Sequence, residues 1–156
     1  MSEESSSAAT PSDTKVILHW LDKSRSQRIL FLLEELSVPY DIKIYKRGED
    51  KLAPPELKQV HPLGKSPVVE IQVPGRKSIV LAESAVIVEY LCDYYGKHLI
   101  PKRFHGEQGI GKESEAWLRY RYYENYAEGS LMPYLVMKLV MASMFQPVRL
   151  SSIRVC

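Results

Sequence analysis

Along the first hundred positions the apolar residues change period in a fixed order. KVILHW (15–20) is short, apolar and β-branched, which predicts a strand. In SRSQRILFLLEEL, Ile29, Leu32, Leu33 and Leu36 recur at helical spacing. Ser24 opens that helix, Gln27 three residues later completes a capping-box pattern, and Val38-Pro39 stops it. YDIKIYK (40–46) alternates and predicts a second strand. Pro54-Pro55 before ELKQV predicts a short helix with proline in its first turn. PVVEIQV (67–73) and KSIVLAE (77–83) are two further strands, joined into a hairpin by the turn dipeptide Pro74-Gly75. Ser84 then caps a helix, AVIVEYLCDYY, that ends at Gly96.

The resulting order, βαβ, a short α, then ββα, is the thioredoxin-like α/β arrangement with a mixed sheet. It accounts for residues 15–101. Residues 97–112 are punctuated by Gly and Pro, and 102–112 are taken as a linker. KESEAWLRYRYYENYAEG predicts a long helix with acidic residues in its first turn, where the helix dipole favours them. Pro133 should kink or interrupt it, and LVMKLVMASMF (135–145) resumes helical character. The tail QPVRLSSIRVC has no clear period. The polar, acidic opening MSEESSSAATPSD makes residues 1–14 a disordered segment without the features of a signal peptide.

Composition narrows the function. The chain has 156 residues, of which 45% are hydrophobic, so a core is expected. A net charge of +2, with both signs interspersed, gives no footprint for nucleic acid or a membrane surface. The longest apolar run, Leu131 to Phe145, holds Pro133 and Lys138 and is shorter than the ~20 residues of a membrane span, so a soluble protein is expected. Cys92 and Cys156 form no framework, and the histidines His19, His61, His98 and His105 have no metal-ligand spacing. A reducing, cytoplasmic setting without a metal is expected. Cys92, among apolar residues, is a small core residue.

Three short stretches carry candidate chemistry. Where the first strand meets the first helix, a dithiol oxidoreductase would have CxxC; here the junction reads Ser24-Arg25-Ser26-Gln27, with no thiol. A serine at a helix N-terminus either caps the helix or donates to a bound thiolate, whose ionised form the helix dipole also favours. In LAES (81–84), Glu83 and Ser84 fit a cap with a surface glutamate. They also fit a clamp for an α-carboxylate and its α-amine. In HPLGKSPVVEI (61–71), Pro67 opens a strand, as punctuation or as a cis proline.

SRSQR, HPLGKSPVV and LAES followed by AVIVEYL, in this order on this element sequence, resemble the N-terminal domain of cytosolic glutathione transferases, especially the serine-type enzymes of fungi and bacteria. The resemblance implies a protein that binds glutathione as co-substrate and activates its thiol against small electrophiles in detoxification, and that works as a homodimer. It implies that Ser24 activates the thiol, with Ser26 as the fallback. It further implies that Pro67 is cis, that the main chain of Ser66 binds the cysteinyl part, that Glu83 and Ser84 take the γ-glutamyl group and that Lys65 reaches the glycine carboxylate. Valine or isoleucine is more usual at position 66. Tyr120 and Tyr123 are candidates for the electrophile pocket, or packing residues. A catalytically weak binding module and a glutathione-dependent peroxidase or thiol transferase are the alternatives on this fold. The family follows the first domain with five or more helices. Residues 113–156 would be a truncated helical domain, with Trp117, Leu118, Leu131, Leu135, Leu139 and Met144 short of apolar cover and conjugation weakened.

Overall fold

The structure is a computed structural model that describes residues 13–144. The readings made above for residues 1–12 and for the tail from 146 therefore lie outside the described residues. Contacts divide the chain into two units, Met1–Ile100 and Pro101–Cys156.

In the first unit four strands, β1 (Lys15–Leu21), β2 (Tyr40–Tyr45), β3 (Val68–Gln72) and β4 (Ile79–Ala82), form one sheet in the order β2-β1-β3-β4. β1 runs parallel to β2 and antiparallel to β3, and β3 pairs antiparallel with β4. Helices α1 (Ser26–Glu35), α2 (Glu56–Val60) and α3 (Ser84–Tyr95) complete the expected thioredoxin-like βαβ-α-ββα order. Val16 and Leu18 of β1, with Val69 and Ile71 of β3, meet Ile29 and Leu33 of α1 and Ile87 and Leu91 of α3 in one buried cluster. The period of two in the strands and the helical period in α1 and α3 thus converge on one interior. On the other sheet face Leu21, Tyr45 and Leu57 form a smaller cluster. Cys92 is buried, as a core residue should be.

Local chemistry moves several of the expected boundaries. Helix α1 begins at Ser26 rather than Ser24, its N-cap is Arg25, and no side chain caps it. Ser24 accepts instead from the Ser26 N–H at 3.1 Å and donates to the Leu21 carbonyl at 2.7 Å, a turn bond that competes with capping. The helix stops before Val38-Pro39, because Ser37 takes φ 52°. Its N–H then bonds the Glu34 carbonyl, and the Val38 N–H bonds that of Leu33, a Schellman closure. Pro74-Gly75 makes the expected turn, with Gly75 at φ 70° and the Arg76 N–H on the Val73 carbonyl. Ser84 is the first residue of α3 and not its cap, which is Glu83. Thr14, at the end of the segment read as disordered, hydrogen-bonds through Oγ1 to the Tyr95 hydroxyl at 2.6 Å.

The second unit holds α4 (Glu115–Tyr126), a π turn (Ala127–Leu131) and α5 (Met132–Met144). Ser114 caps α4 by accepting from the Trp117 N–H. Its hydroxyl and N–H also hold the preceding chain through the carbonyls of Lys102 and Arg103, and the Arg103 guanidinium lies 4.7 Å from the Trp117 ring centroid. The interruption expected at Pro133 lies just before it. Proline lacks an N–H and its ring would strike the carbonyl four residues back, at Gly129. A π turn admits the ring there, with the Met132 N–H reaching the Ala127 carbonyl five residues back. None of the described helices is long and apolar enough to cross a membrane.

Candidate functional site

The sheet register gathers three loops at one end. Val68 pairs with His19 on one side and with Ala82 on the other. The chain just before β3, Ser66-Pro67, therefore lies between the end of β1 and the β4–α3 junction, Glu83-Ser84. The Ser66–Pro67 peptide is cis. The starts of α1 and α3 face the same end, each with the positive end of a helix dipole.

At this end three serine hydroxyls form a chain. Ser24 Oγ lies 2.7 Å from Ser26 Oγ, and Ser26 Oγ lies 2.5 Å from Ser66 Oγ. The outer two donate to main-chain carbonyls: Ser24 to Leu21 and Ser66 to His19, each at 2.7 Å. Ser26 is completely buried and also accepts from the Leu21 N–H at 3.4 Å, whereas Ser24 is half-buried. Of the two serines in SRS, only Ser24 has exposed surface. The resemblance gave a role only to the main chain of Ser66; the place of its side chain in this series of hydroxyls was not legible in the sequence.

Glu83 adopts φ 70° and ψ 124°, a sparsely populated conformation for a residue with a Cβ. Such strain costs of order 1–3 kcal/mol and persists where the surroundings over-determine it, commonly at ligand clamps. The Ile87 N–H closes the first turn of α3 on the Glu83 carbonyl at 3.0 Å, and Ser84 is 9% exposed. Lys65 is exposed beside Gly64, whose φ is 57°. Tyr120 and Tyr123 belong to the second unit, where with Glu115, Ala116 and Arg119 they line an open cavity of about 490 Å³. The Tyr120 hydroxyl donates to Glu124 at 2.7 Å.

A buried histidine next to the serine chain was also missed. His19, 3% exposed, bonds the Tyr45 hydroxyl through Nδ1 at 2.9 Å. Its Nε2 has no hydrogen-bond partner, since the Glu70 carboxylate is 3.6 Å away. Burial and then the Lys43 ammonium push its pKa below 6.5, and the opposing pull of Glu70 is weaker. His19 is therefore neutral at pH 7. Its position on the period-two face of KVILHW was the one available signal. Among the described residues no group of His, Cys, Asp and Glu could hold a metal ion.

Residues 24–93 match the family described as glutathione S-transferase, N-terminal domain. Glutathione S-transferase 1 of Saccharomyces cerevisiae is 39% identical over 127 residues, 80% of this chain and 50% of the yeast protein. A glutathione S-transferase crystal structure from Actinobacillus pleuropneumoniae is 39% identical with a TM-score of 0.54, covering 69% of this chain and 45% of that one. A crystal structure of a glutathione transferase family member from Pseudomonas fluorescens, with two glutathione bound, covers 76% of this chain and 48% of that one. At 24% identity and a TM-score of 0.55 that likeness is one of fold alone. The chain spans about half the length of the curated relatives it matches, 50% of the Saccharomyces protein and 44% of a second, from Schizosaccharomyces pombe.

Proposed function

Since the chain belongs to the glutathione S-transferase family, we propose that its first unit binds glutathione and holds the thiol ionised for attack on an electrophile. The observation that carries this reading is the half-buried Ser24 hydroxyl, beside the cis Ser66–Pro67 peptide and the strained Glu83-Ser84 corner. In this reading the Glu83 carboxylate accepts from the γ-glutamyl ammonium. The Ser84 hydroxyl and N–H, at the start of α3, take the neighbouring carboxylate. The main chain of Ser66 pairs with the cysteinyl residue, and the exposed Lys65 ammonium meets the glycine carboxylate. Ser24 turns its proton from the Leu21 carbonyl to the sulfur. A hydrogen bond to the charged form lowers the thiol pKa, and the start of α1 adds positive potential. The thiol proton leaves to solvent, and the sulfur pair then forms the new bond to the electrophile as its leaving group or π pair departs.

Small electrophiles as second substrate, Tyr120 and Tyr123 as residues that line their pocket, a homodimer as the working assembly and the cytoplasm as the setting belong to the same proposal. The test is calorimetric titration of the chain with glutathione, followed by pH titration of the bound thiol. Glutathione should bind, and Ser24→Ala should raise the thiol pKa by about one unit with little change in affinity. A panel of conjugation, peroxide reduction and disulfide exchange separates the transferase from its alternatives. Absence of glutathione binding would refute the reading.

A further inference from the structure

The serine chain carries a proton shortage. Four oxygen–oxygen contacts run from Leu21 O through Ser24, Ser26 and Ser66 to His19 O, at 2.7, 2.7, 2.5 and 2.7 Å. A carbonyl oxygen can only accept, and each hydroxyl has one proton. The protons of Ser24 and Ser66 are therefore committed outward, to Leu21 and His19. The single proton of Ser26 faces two oxygens at once. Nothing else can replace it, because Ser26 is completely buried and its other polar contact, the Leu21 N–H, is itself a donor.

We propose that Ser26 and Ser66 are positioning residues that set how strongly Ser24 donates to the bound sulfur, Ser26 by donating to Ser24 and Ser66 by competing for that same proton. This rests on the glutathione reading given above. When Ser24 turns to the sulfur, its O–H becomes a stronger donor if Ser26 donates to its oxygen. Two hydrogen bonds in series, Ser26 to Ser24 and Ser24 to sulfur, then polarise one another. With Ser66 present the Ser26 proton is drawn the other way, towards the shorter 2.5 Å contact. The Ser66 hydroxyl thus weakens thiol activation, and the two serines act with opposite sign although neither touches the sulfur through its side chain.

The experiment is pH titration of the bound glutathione thiol by its thiolate absorbance, on the full chain and its variants. Ser26→Ala removes the donor and should raise the thiol pKa by about half a unit or more. Ser66→Val removes the competitor, fills its space and keeps the main chain, and should lower the pKa by roughly a few tenths of a unit. Ser66→Thr keeps the hydroxyl and should return the parent value. Affinity for S-methylglutathione, which has no thiol to ionise, should stay unchanged in Ser26→Ala, as a general distortion of the site would not allow. Ser66→Cys serves in place of Ser66→Val if the valine protein fails to fold, with the same expected sign. A pKa that rises or stays fixed when the Ser66 hydroxyl is removed overturns the inference. If Ser24→Ala still raises the pKa in that case, the glutathione reading stands alone. A parent chain that binds neither glutathione nor S-methylglutathione overturns both.

Discussion

Leu18, Ile29, Leu33, Ile87 and Leu91 of the first unit expose none of their surface, whereas Leu118, Leu135, Met137, Leu139 and Met144 of the second expose 50 to 71%. The residue types are the same and their fates differ. In the first unit the apolar stripes of two helices and one face of a sheet are aimed at a shared interior, and each buried Leu or Ile contributes about 1.5–3 kcal/mol. In α5 apolar residues stand on every side, the composition of a helix that is covered all round. Among the described residues of the second unit none is buried. Burial is thus decided by what a helix is set against, and hydrophobicity alone does not deliver it.

The sharpest way to break this comparison is truncation on both sides of it. Leu18→Ala and Ile87→Ala should each cost about 2–5 kcal/mol in urea denaturation, as cavity-forming changes in a packed core do. Leu139→Ala, at a residue 70% exposed, should stay within about 0.5 kcal/mol. An equal loss at Leu139 would mean that α5 has a cover in solution, and the contrast between the units would vanish.

A second contrast concerns binding. Glu83→Ala removes the carboxylate proposed to accept from the γ-glutamyl ammonium and should weaken glutathione binding about ten- to a hundredfold, the worth of one charged hydrogen bond. Tyr120→Phe, in the second unit, should leave that affinity unchanged. A calorimetric loss at Tyr120 as large as that at Glu83 would assign glutathione binding to both units.

Acid stability should also divide the molecule. The folded pKa of His19 is depressed below its unfolded value of 6.5, first by burial and then by Lys43. As pH falls below 6.5 the unfolded chain takes up a proton that the native first unit refuses, so stability declines towards the folded pKa, by no more than about 1.4 kcal/mol per pH unit. The Glu70 carboxylate, held below 4.5 first by the Gln72 amide, loses its contribution only at lower pH. His19→Gln should flatten the decline that starts below pH 6.5 and leave the deeper acid limb; an unchanged slope would contradict a neutral buried His19. The smallest effect is expected in the second unit, where Arg119→Ala breaks the exposed pair with Glu115. It should change stability by less than about 0.5 kcal/mol, and less still at high salt.

The elements of the first unit were legible because local period and global packing agree there. Ile29 and Leu33 fall on the helical stripe and Val69 and Ile71 on the strand face, and all four enter one cluster. The Pro74-Gly75 turn and the strand opening at Pro67 were readable for the same local reason. What stayed hidden depends on contacts across the chain. Ser66 and Ser26 are 40 positions apart, so no window of sequence joins their hydroxyls. Ser24 looked like a cap because its hydroxyl can serve either the helix or the turn, and the choice is settled by the Leu21 carbonyl. His19 gave only its place on an alternating strand. Its neutrality follows from burial and then from the Lys43 ammonium on the neighbouring strand, against the weaker pull of Glu70.

The π turn before Pro133 also resets angular phase. A five-residue hydrogen-bonded step in place of four inserts one residue into the helical count, which is about 100° around the axis. Side chains of α4 and α5 therefore belong to two helical wheels, and a single wheel drawn through 115–144 assigns Tyr134, Leu135 and their successors to the wrong sides. Deleting one residue from Ala127–Leu131 would merge the wheels, turn every side chain of α5 by that angle relative to α4, and bring the Pro133 ring against a carbonyl. Pro133 thereby selects which side of α5 any neighbouring surface would read.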